Sequence, residues 1–217
     1  MTIPVSLYIA GAGGLGREIA LYATEMIAAG QLPARLAGFL DDTGADPAAF
    51  GCALPVVSTI DGWRPQKTDR VVIAVGDPGA RRQIAERLVR IGAGFATLIH
   101  PTAWVAGNAR LEPGSIVAPL AAIGPHAVIG AHCLINVHAG IGHDVELGAY
   151  NVLAPGAVLN GFVRSGAGVL VGSSVVVTAR LTLGEGCRIA AGAVVYADIP
   201  PGTTAHGNPA RAMKLPG

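Results

Sequence analysis

The chain has 217 residues, which is enough for one large domain or two small ones. Its formal net charge is +1 and only 13% of its residues are charged, so we expect no nucleic-acid partner, because such partners select basic surfaces. No apolar run approaches the roughly 20 residues that span a bilayer, and the N-terminus lacks the pattern of a signal peptide, so we expect no membrane partner.

Small side chains dominate the apolar composition. Hydrophobic residues make up 51% of the chain but aromatic residues only 5%, and there are 31 glycines. The three cysteines, Cys52, Cys133 and Cys187, are odd in number and form no C-x-x-C pair. Reduced thiols and a cytoplasmic location are the simplest interpretation of this pattern.

The first hundred residues alternate predicted strands with predicted helices. Four apolar segments are predicted strands, at residues 5–10, 35–42, 70–77 and 95–99. Helical spacing of apolar residues follows the first of them, at 17–30, and the third, at 78–94. This order indicates a parallel sheet with crossover helices, so we predict a Rossmann-like α/β half domain over residues 1–100.

A glycine-rich turn joins the first predicted strand to the first helix. Gly11, Gly13 and Gly16 match G-x-G-x-x-G, and backbone N–H groups at such a helix start attract phosphate. Asp41 follows the second strand roughly where a ribose-binding acid would lie. Since a full dinucleotide domain needs six strands, about four strands suit a mononucleotide or nucleotide sugar better than NAD. The alternative is that the glycines only make a tight turn.

From Val105 to Val195 one position recurs every six residues without an insertion, and it is aliphatic at fifteen of sixteen sites, Ser165 being the exception. This is the period of a hexapeptide β-helix, and it resembles the left-handed parallel β-helix of the hexapeptide acyltransferases. Three hexads then make one triangular coil of 18 residues, with the aliphatic position pointing inward. We predict such a β-helix of about five coils within residues 101–217. Glycine often follows the aliphatic position, and small residues at the corners permit tight turns.

The 18-residue period converts sequence distance into position. Residues 18 apart stack on successive coils, about 4.8 Å apart at ordinary strand spacing. His143 therefore stacks next to Gly161, and Pro155, Ser173 and Ala191 form another column. Short side chains beside a histidine predict a groove for a thin ligand.

The pair His143-Asp144 is the strongest candidate for chemistry. A neutral imidazole can take a proton from an attacking amine or hydroxyl, and an adjacent acid could hold its other nitrogen. Consecutive strand residues point to opposite faces, so contact between the pair requires a corner, which the position of Ile141 places nearby. Asn136, on the preceding face, could orient the pair. The alternative is an exposed His and Asp at a turn.

A metal site is the rival interpretation of these histidines. His138 and His143 have the spacing of two ligands in the hexapeptide carbonic anhydrases, but the third ligand would be at position 102, which is Thr102. His126, His132 and His138 recur every six residues and so lie at successive corners. Because zinc needs three or four ligands, we expect no metal.

The motifs "GFLDD", "IAVGD", "LIHPTA", "HD" and "HGNPAR" occur in this order along the chain. Together they resemble, across nearly the whole chain, the bacterial sugar acetyltransferases of the sialic acid O-acetyltransferase type. The most similar members N-acetylate nucleotide-linked 4-amino sugars, as in bacillosamine and perosamine synthesis. The resemblance implies a homotrimer with acetyl-CoA in the groove between neighbouring β-helices, so that active sites lie between subunits.

The resemblance also implies residue roles. His143 is the general base, Asp144 raises its basicity, and Asn136 lies near the site. The positions matched to acetyl-CoA contacts are Gly161, Ser173 and Ala191. The positions matched to the nucleotide-sugar pocket are Gly13, Gly14, Leu15, Asp41, Asp42 and Gly76. Residues 206–211 resemble the C-terminal loop near the CoA end, unless they form a simple turn.

Two departures from the family pattern stand out. The family often has His where this chain has Leu15, which removes one polar contact to sugar or phosphate. It also often has His where this chain has Val152, and that histidine donates to the acetyl carbonyl in relatives. An oxyanion donor is worth roughly 2.7–4 kcal/mol, so a backbone N–H must replace it or the acetyl group lies differently.

We therefore predict acetyl transfer from acetyl-CoA to the amino group of a nucleotide-linked amino sugar, at the 4-amino position. O-acetylation of a hydroxyl would use the same base. A non-catalytic nucleotide-sugar-binding trimer is the alternative from a different class, and hydrolysis at a metal is the third.

Overall fold

The computed structural model describes residues 5–213, which form an α/β layer followed by a β-helix. The α/β layer contains β1 (Val5–Ala10), α1 (Gly14–Ala28), β2 (Ala34–Leu40), a single 3-10 turn (Ala48–Phe50), β3 (Val56–Ser58), β4 (Asp69–Ile73) and α2 (Pro78–Arg90). Its four strands are parallel in the order β3-β2-β1-β4. The prediction of a parallel α/β domain is confirmed.

The predicted fourth strand at residues 95–99 is wrong as a member of this sheet. The fourth strand is β3, an edge strand whose valines are exposed, so it carries no buried apolar pattern that the sequence could reveal. Phe95 makes only an isolated bridge to Val71. Leu98–Ile99 is instead β5, which pairs with Ile116–Val117 in the β-helix. β-helix pairing thus begins two residues before the division at residue 100, which stays a prediction.

The β-helix has three faces, and its strands are numbered in chain order. The eight-stranded sheet holds β5, β8 (Ile116–Val117), β11 (Leu134–Ile135), β14 (Val152–Leu153), β17 (Leu170–Val171), β20 (Arg188–Ile189), β22 (Thr204–His206) and β23 (Arg211–Ala212). The six-stranded sheet holds β6 (Trp104–Val105), β9 (Ala122–Ile123), β12 (Gly140–Ile141), β15 (Val158–Leu159), β18 (Val176–Val177) and β21 (Val194–Val195). The five-stranded sheet holds β7 (Arg110–Leu111), β10 (Val128–Ile129), β13 (Glu146–Leu147), β16 (Arg164–Ser165) and β19 (Thr182–Leu183).

The pairing register confirms the 18-residue coil. Ile135 pairs with Leu153, and Ile141 pairs with Leu159, each 18 residues apart. From β6 to β21 the second residue of every two-residue strand is the repeat position, and these side chains line one continuous buried core. The prediction of a left-handed β-helix is confirmed.

Ser165 is accommodated in that core by a hydrogen bond. Asn151 is 1% exposed, and its amide donates to Ser165 Oγ and, at 3.1 Å, to the carbonyl of Gly166. Its Oδ1 accepts from Val169 N. A polar residue in the inward position is tolerated because a second buried polar group satisfies it.

The corners follow a rule that the sequence alone did not reveal. Every sixth residue from Gly114 to Gly192 has a left-handed φ, and nine of these are not glycine: Leu120, His126, His132, His138, Asp144, Tyr150, Phe162, Ser174 and Arg180. The expectation that small residues at the corners permit the tight turns is wrong where the corner residue is large, as at Phe162 and Arg180. Seven glycines follow the aliphatic position, and none of them has a left-handed φ: Gly124, Gly130, Gly142, Gly148, Gly166, Gly172 and Gly184. A Cβ on them would lie 2.3–2.8 Å from the next coil, so close coil stacking requires them.

The three faces differ in what points outward. On the eight-stranded sheet, here called the docked face, Ile116, Leu134 and Val152 share one apolar cluster with Ile19 and Met26 of α1. Helix α1 therefore lies on this face and fixes the α/β layer against the β-helix. An ion pair of 2.6 Å between Asp77 and Arg188 adds a polar link.

The other two faces are not covered by the α/β layer. The six-stranded sheet, the apolar face, directs outward only Trp104, Ala122, Gly140, Val158, Val176 and Val194. The five-stranded sheet, the charged face, directs outward Arg110, Val128, Glu146, Arg164 and Thr182. No helix within residues 5–213 combines the length and the apolar character needed to cross a membrane.

Candidate active site

His143 and Asp144 form the corner between the apolar face and the charged face. Asp144 has a φ of 58°, and this left-handed turn breaks the alternation that would otherwise separate neighbouring side chains. His143 Nδ1 lies 2.8 Å from Asp144 Oδ2. The predicted corner and the predicted contact are both confirmed.

The contact sets the chemistry of the imidazole. A carboxylate on Nδ1 favours the tautomer with its hydrogen there, which leaves a lone pair on Nε2. The predicted stacking on Gly161 is also confirmed, because a Cβ at Gly161 would lie 2.6 Å from His143 Nε2 and Cε1. Only glycine leaves room for the ring, so the exposed Nε2 can accept a proton from a bound substrate.

Asn136 lies at the preceding corner, beside the apolar face. Its Oδ1 accepts from Val137 N at 2.7 Å, and among residues 5–213 it forms no hydrogen bond to His143 or Asp144. Its part in the site stays a prediction.

The column of small residues bounds the other edge of the apolar face. Ser174 N donates to Pro155 O at 3.0 Å, and Gly192 N donates to Ser173 O at 2.8 Å, so the predicted column of Pro155, Ser173 and Ala191 is confirmed. Between this corner and the Gly161 corner the strands nearest His143 direct only short side chains outward, from Gly140, Val158 and Val176. This strip of short side chains, which runs past His143, lies where the sequence predicts the groove.

Val152 does not lie in this groove. It points outward from the docked face, is 3% exposed and packs in the cluster with α1. Val152 therefore lies away from the chain's own His143 and supplies no donor there. Asn151 points into the coil interior, as alternation predicts.

The glycine-rich loop is braced by Asp41. Its carboxylate accepts from Ala12 N at 2.8 Å and from Thr43 N at 2.7 Å. Burial of Asp41 opposes ionisation, but the hydrogen bonds from Thr43 and Ala12 prevail and lower its pKa. Asp41 therefore holds the loop in shape as an anion at neutral pH.

Asp42 is also engaged by the protein itself. Its carboxylate accepts from Ile60 N at 2.9 Å and pairs with Arg87 at 2.7 Å. Arg87 also donates to Asp61, and its hydrogen bonds to Asp61 and, to a smaller extent, to Asp42 raise the pKa of the guanidinium. Any contact of Asp42 with a ligand would use its remaining lone pairs.

The predicted pocket glycines have open space around them. A Cβ on Gly13, Gly14 or Gly76 would meet nothing within 4 Å, and Gly13 caps the N-terminus of α1. Gly16 differs, because its Cβ would meet the carbonyl of Gly11, so its role is close packing. The side chain of Leu15 packs against the apolar cluster under α1.

Three features were missed by sequence reasoning. Phe162 lies edge-on to His143, with ring centroids 5.1 Å apart, and the Arg180 guanidinium lies 4.4 Å above the Phe162 ring. Both residues are in the column of Asp144 at intervals of 18, which is the signal that could have found them. A cavity of about 500 Å³ beside α1 is the third, lined in part by Arg17 and Phe50.

The histidines do not converge on a metal site. Within residues 5–213 no group of three His, Cys, Asp or Glu side chains could hold an ion. Thr102 instead hydrogen-bonds to His100. His132 is buried between the rings of Phe95 and Tyr150. This burial, together with the positive charge of Arg81, lowers the pKa of His132 to about 4.

Residues 206–211 form a hairpin turn between β22 and β23.

This fold places the chain in the class of hexapeptide-repeat transferases. Residues 6–88 match the family model described as the PglD N-terminal domain, and residues 126–161 match the bacterial transferase hexapeptide (six repeats). The acetyltransferase domain of PglB from Neisseria gonorrhoeae FA1090 is 32% identical with a TM-score of 0.86, and the match covers 96% of this chain and 99% of that one. The chain belongs to the acetyltransferases that join a PglD N-terminal domain to hexapeptide repeats.

Two perosamine enzymes are also similar. PerB from Caulobacter crescentus, in complex with CoA and GDP-perosamine, is 29% identical with a TM-score of 0.86, covering 96% of this chain and 97% of that one. The GDP-perosamine N-acetyltransferase of Escherichia coli O157:H7 is 30% identical over 147 residues, which are 65% of this chain and 66% of that protein. The match thus spans just under two thirds of this curated relative.

Proposed function

We propose that the protein transfers acetyl from acetyl-CoA to the amino group of a nucleotide-linked amino sugar, at its 4-amino position, with His143 as general base. One observation carries the proposal: Asp144 holds Nδ1 of His143 while Nε2 faces the space that Gly161 leaves open. The structures of relatives with CoA and GDP-perosamine support the two substrates. The reaction needs no metal.

The chemistry is a direct acyl transfer. The sugar amine attacks the thioester carbonyl, and Nε2 of His143 takes a proton from the nitrogen as the C–N bond forms. The C–S bond then breaks, and the thiolate of CoA leaves and is protonated. The positive charge that develops on the imidazole is stabilised by Asp144.

A backbone group replaces the donor that Val152 cannot supply. Gly161 N donates to no acceptor among residues 5–213, and it lies beside the His143 ring. We assign this N–H to the acetyl oxygen, where charge develops during attack. Gly161, Ser173 and Ala191 would then contact acetyl-CoA along the groove.

The nucleotide end of the acceptor is assigned to the α/β domain. The open backbone at Gly13, Gly14 and Leu15 lies at the start of α1, where N–H groups favour phosphate. Gly76 and the edges of Asp41 and Asp42 complete this pocket in our proposal. The Leu15 side chain contributes no polar contact, so backbone groups carry the recognition there.

The assembly proposed is a homotrimer with active sites between subunits. The uncovered apolar face, with Trp104 58% exposed, supports it, because a face of this composition is suited to a protein partner. A cytoplasmic location agrees with three free cysteines.

Release of the CoA thiol tests the function. We expect release that requires both acetyl-CoA and a nucleotide-linked 4-amino sugar, with GDP-perosamine, UDP-linked and dTDP-linked amino sugars as the panel. Release with the matching hydroxyl sugar alone would replace N-acetylation by O-acetylation. Binding without release for any amino sugar would leave a nucleotide-sugar-binding protein, and loss of activity on chelation would indicate a metal.

A further inference from the structure

A cleft of about 390 Å³ lies on the charged-face side of the His143 corner. Its lining includes Asp144, Phe162, Arg164 and Arg180. Asp144, Phe162 and Arg180 are stacked in one column, each at a left-handed corner position. Large side chains are uncommon in this backbone conformation, yet two of them stand side by side next to the proposed base.

Arg180 is the unpaired charge of this cleft. Its guanidinium lies over the Phe162 ring at 4.4 Å, and among residues 5–213 it has no carboxylate within ion-pair distance. The other charged groups are already matched, because Glu146 pairs with Arg164 at 3.4 Å and Asp144 with His143. A guanidinium presented on an aromatic surface is suited to bind phosphate.

The cleft has opposite charges at its two ends. The carboxylate of Asp144 lies at the His143 end and the guanidinium of Arg180 at the other. An amino sugar linked through its anomeric carbon to a diphosphate has its groups in the matching order, an amine for His143 at one end and a phosphate for Arg180 at the other. The cleft therefore matches the proposed acceptor in the order of its groups.

The length of the cleft favours the sugar phosphate over the phosphates of CoA. Arg180 is two coils from Asp144, which is about 10 Å at ordinary strand spacing. The centroid of the Phe162 ring lies 5.1 Å from the centroid of the His143 ring and 4.4 Å from the Arg180 guanidinium. The Arg180 guanidinium and the His143 ring can therefore be no farther apart than this. The pantetheine arm separates the diphosphate of CoA from its thioester. When extended, this arm is roughly 15 Å long, which is about the length of four residues of fully extended polypeptide.

We infer that Arg180, held on Phe162, binds the sugar-proximal phosphate of the nucleotide sugar and sets the distance from that phosphate to the amine at His143. The inference rests on the proposed function, and no sequence motif assigns these residues. The α/β domain holds the nucleotide end, and Arg180 acts as a specificity residue on the sugar side.

Kinetics of Arg180→Gln, Arg180→Lys and Phe162→Leu test the assignment. We expect Arg180→Gln to raise KM for the nucleotide sugar roughly tenfold while KM for acetyl-CoA changes less than about twofold. Arg180→Lys should recover part of the loss, and Phe162→Leu should give a smaller rise. Arg110→Gln, an exposed arginine without an ion pair in the described chain, is the matched control and should behave as wild type.

Calorimetric binding of the same nucleotide sugar keeps the two proposals separate. If the wild type turns over and Arg180→Gln changes neither KM nor Kd, the subsite is wrong and the function stands. A shift in KM for acetyl-CoA alone would assign Arg180 to CoA and overturn the subsite. If the wild type binds without turnover and Arg180→Gln weakens binding, the subsite stands and the function fails. Absence of binding to the wild type overturns both.

Discussion

Substitution of Gly161 by alanine tests whether His143 acts from the position that the coil stacking gives it. A Cβ at Gly161 would lie 2.6 Å from Nε2 and Cε1 of His143, whereas ordinary contact begins near 3.4 Å. The imidazole must therefore retreat by roughly 1 Å, and a misplacement of that size can cost about 100-fold in rate. We expect kcat/KM of Gly161→Ala to fall by about that factor.

Stability should change little in this variant, because the displaced group is the far end of an exposed side chain. The assay is CoA thiol release at varied nucleotide sugar, with thermal unfolding measured in parallel. Gly107→Ala is the control, since a Cβ there would meet nothing within 4 Å, and it should match wild type in both measurements. Wild-type kcat/KM in Gly161→Ala would refute the placement of the base.

The partner of the base and two buried polar groups can also be tested by substitution. Asp144→Asn should lower kcat/KM roughly tenfold by weakening stabilisation of the imidazolium that forms on His143; an unchanged pH–rate profile and rate would contradict this. Ser165→Val completes the aliphatic repeat, but the buried Asn151 amide then loses a hydrogen-bond partner. We therefore expect the free energy of unfolding in urea to fall by about 1–3 kcal/mol. A more stable variant would show that the hydrogen bond is unimportant. Burial lowers the pKa of His132 from 6.5 to about 4, so this side chain binds its proton more readily in the unfolded chain. The free energy of unfolding should therefore fall by up to about 3 kcal/mol as the pH falls from 6.5 to 4. This loss should be smaller in His132→Asn, and equal losses in the two proteins would contradict the assignment.

The parts of the fold that sequence reasoning predicted are those that a strict period determines. A six-residue repeat without insertions sets which side chain faces the core, and it sets which residues stack 18 apart. The corner at His143, its contact with Asp144 and its position over Gly161 all follow from that arithmetic. These are local consequences of one register, so no long-range information was needed.

The errors arose where position depends on partners distant in sequence. Leu98–Ile99 is apolar enough for either sheet, and only the docking of the two layers assigns it to the β-helix. Val152 was singled out by the family pattern, but in this chain it lies on the docked face, away from the chain's own His143. The pairing of Asn151 with Ser165 crosses the coil interior, where the repeat pattern predicts no polar contact.

The corner residues show a further limit. The left-handed positions carry nine side chains that are not glycine, so composition does not mark them, although their spacing of six does. Phe162 and Arg180 could therefore be found only after the coil geometry had placed them beside His143.

We propose that His143 removes a proton from a sugar amine during acetyl transfer. Mass spectrometry of a reaction with acetyl-CoA and GDP-perosamine, or whichever amino sugar of the panel supports thiol release, tests it most directly. We expect a nucleotide sugar heavier by one acetyl group with the wild type and with His126→Ala, in which an exposed corner histidine one coil away is replaced. With His143→Ala, formation of that product should be slower by about 10²–10⁴-fold. Product formed by His143→Ala at the wild-type rate would show that His143 is not the general base.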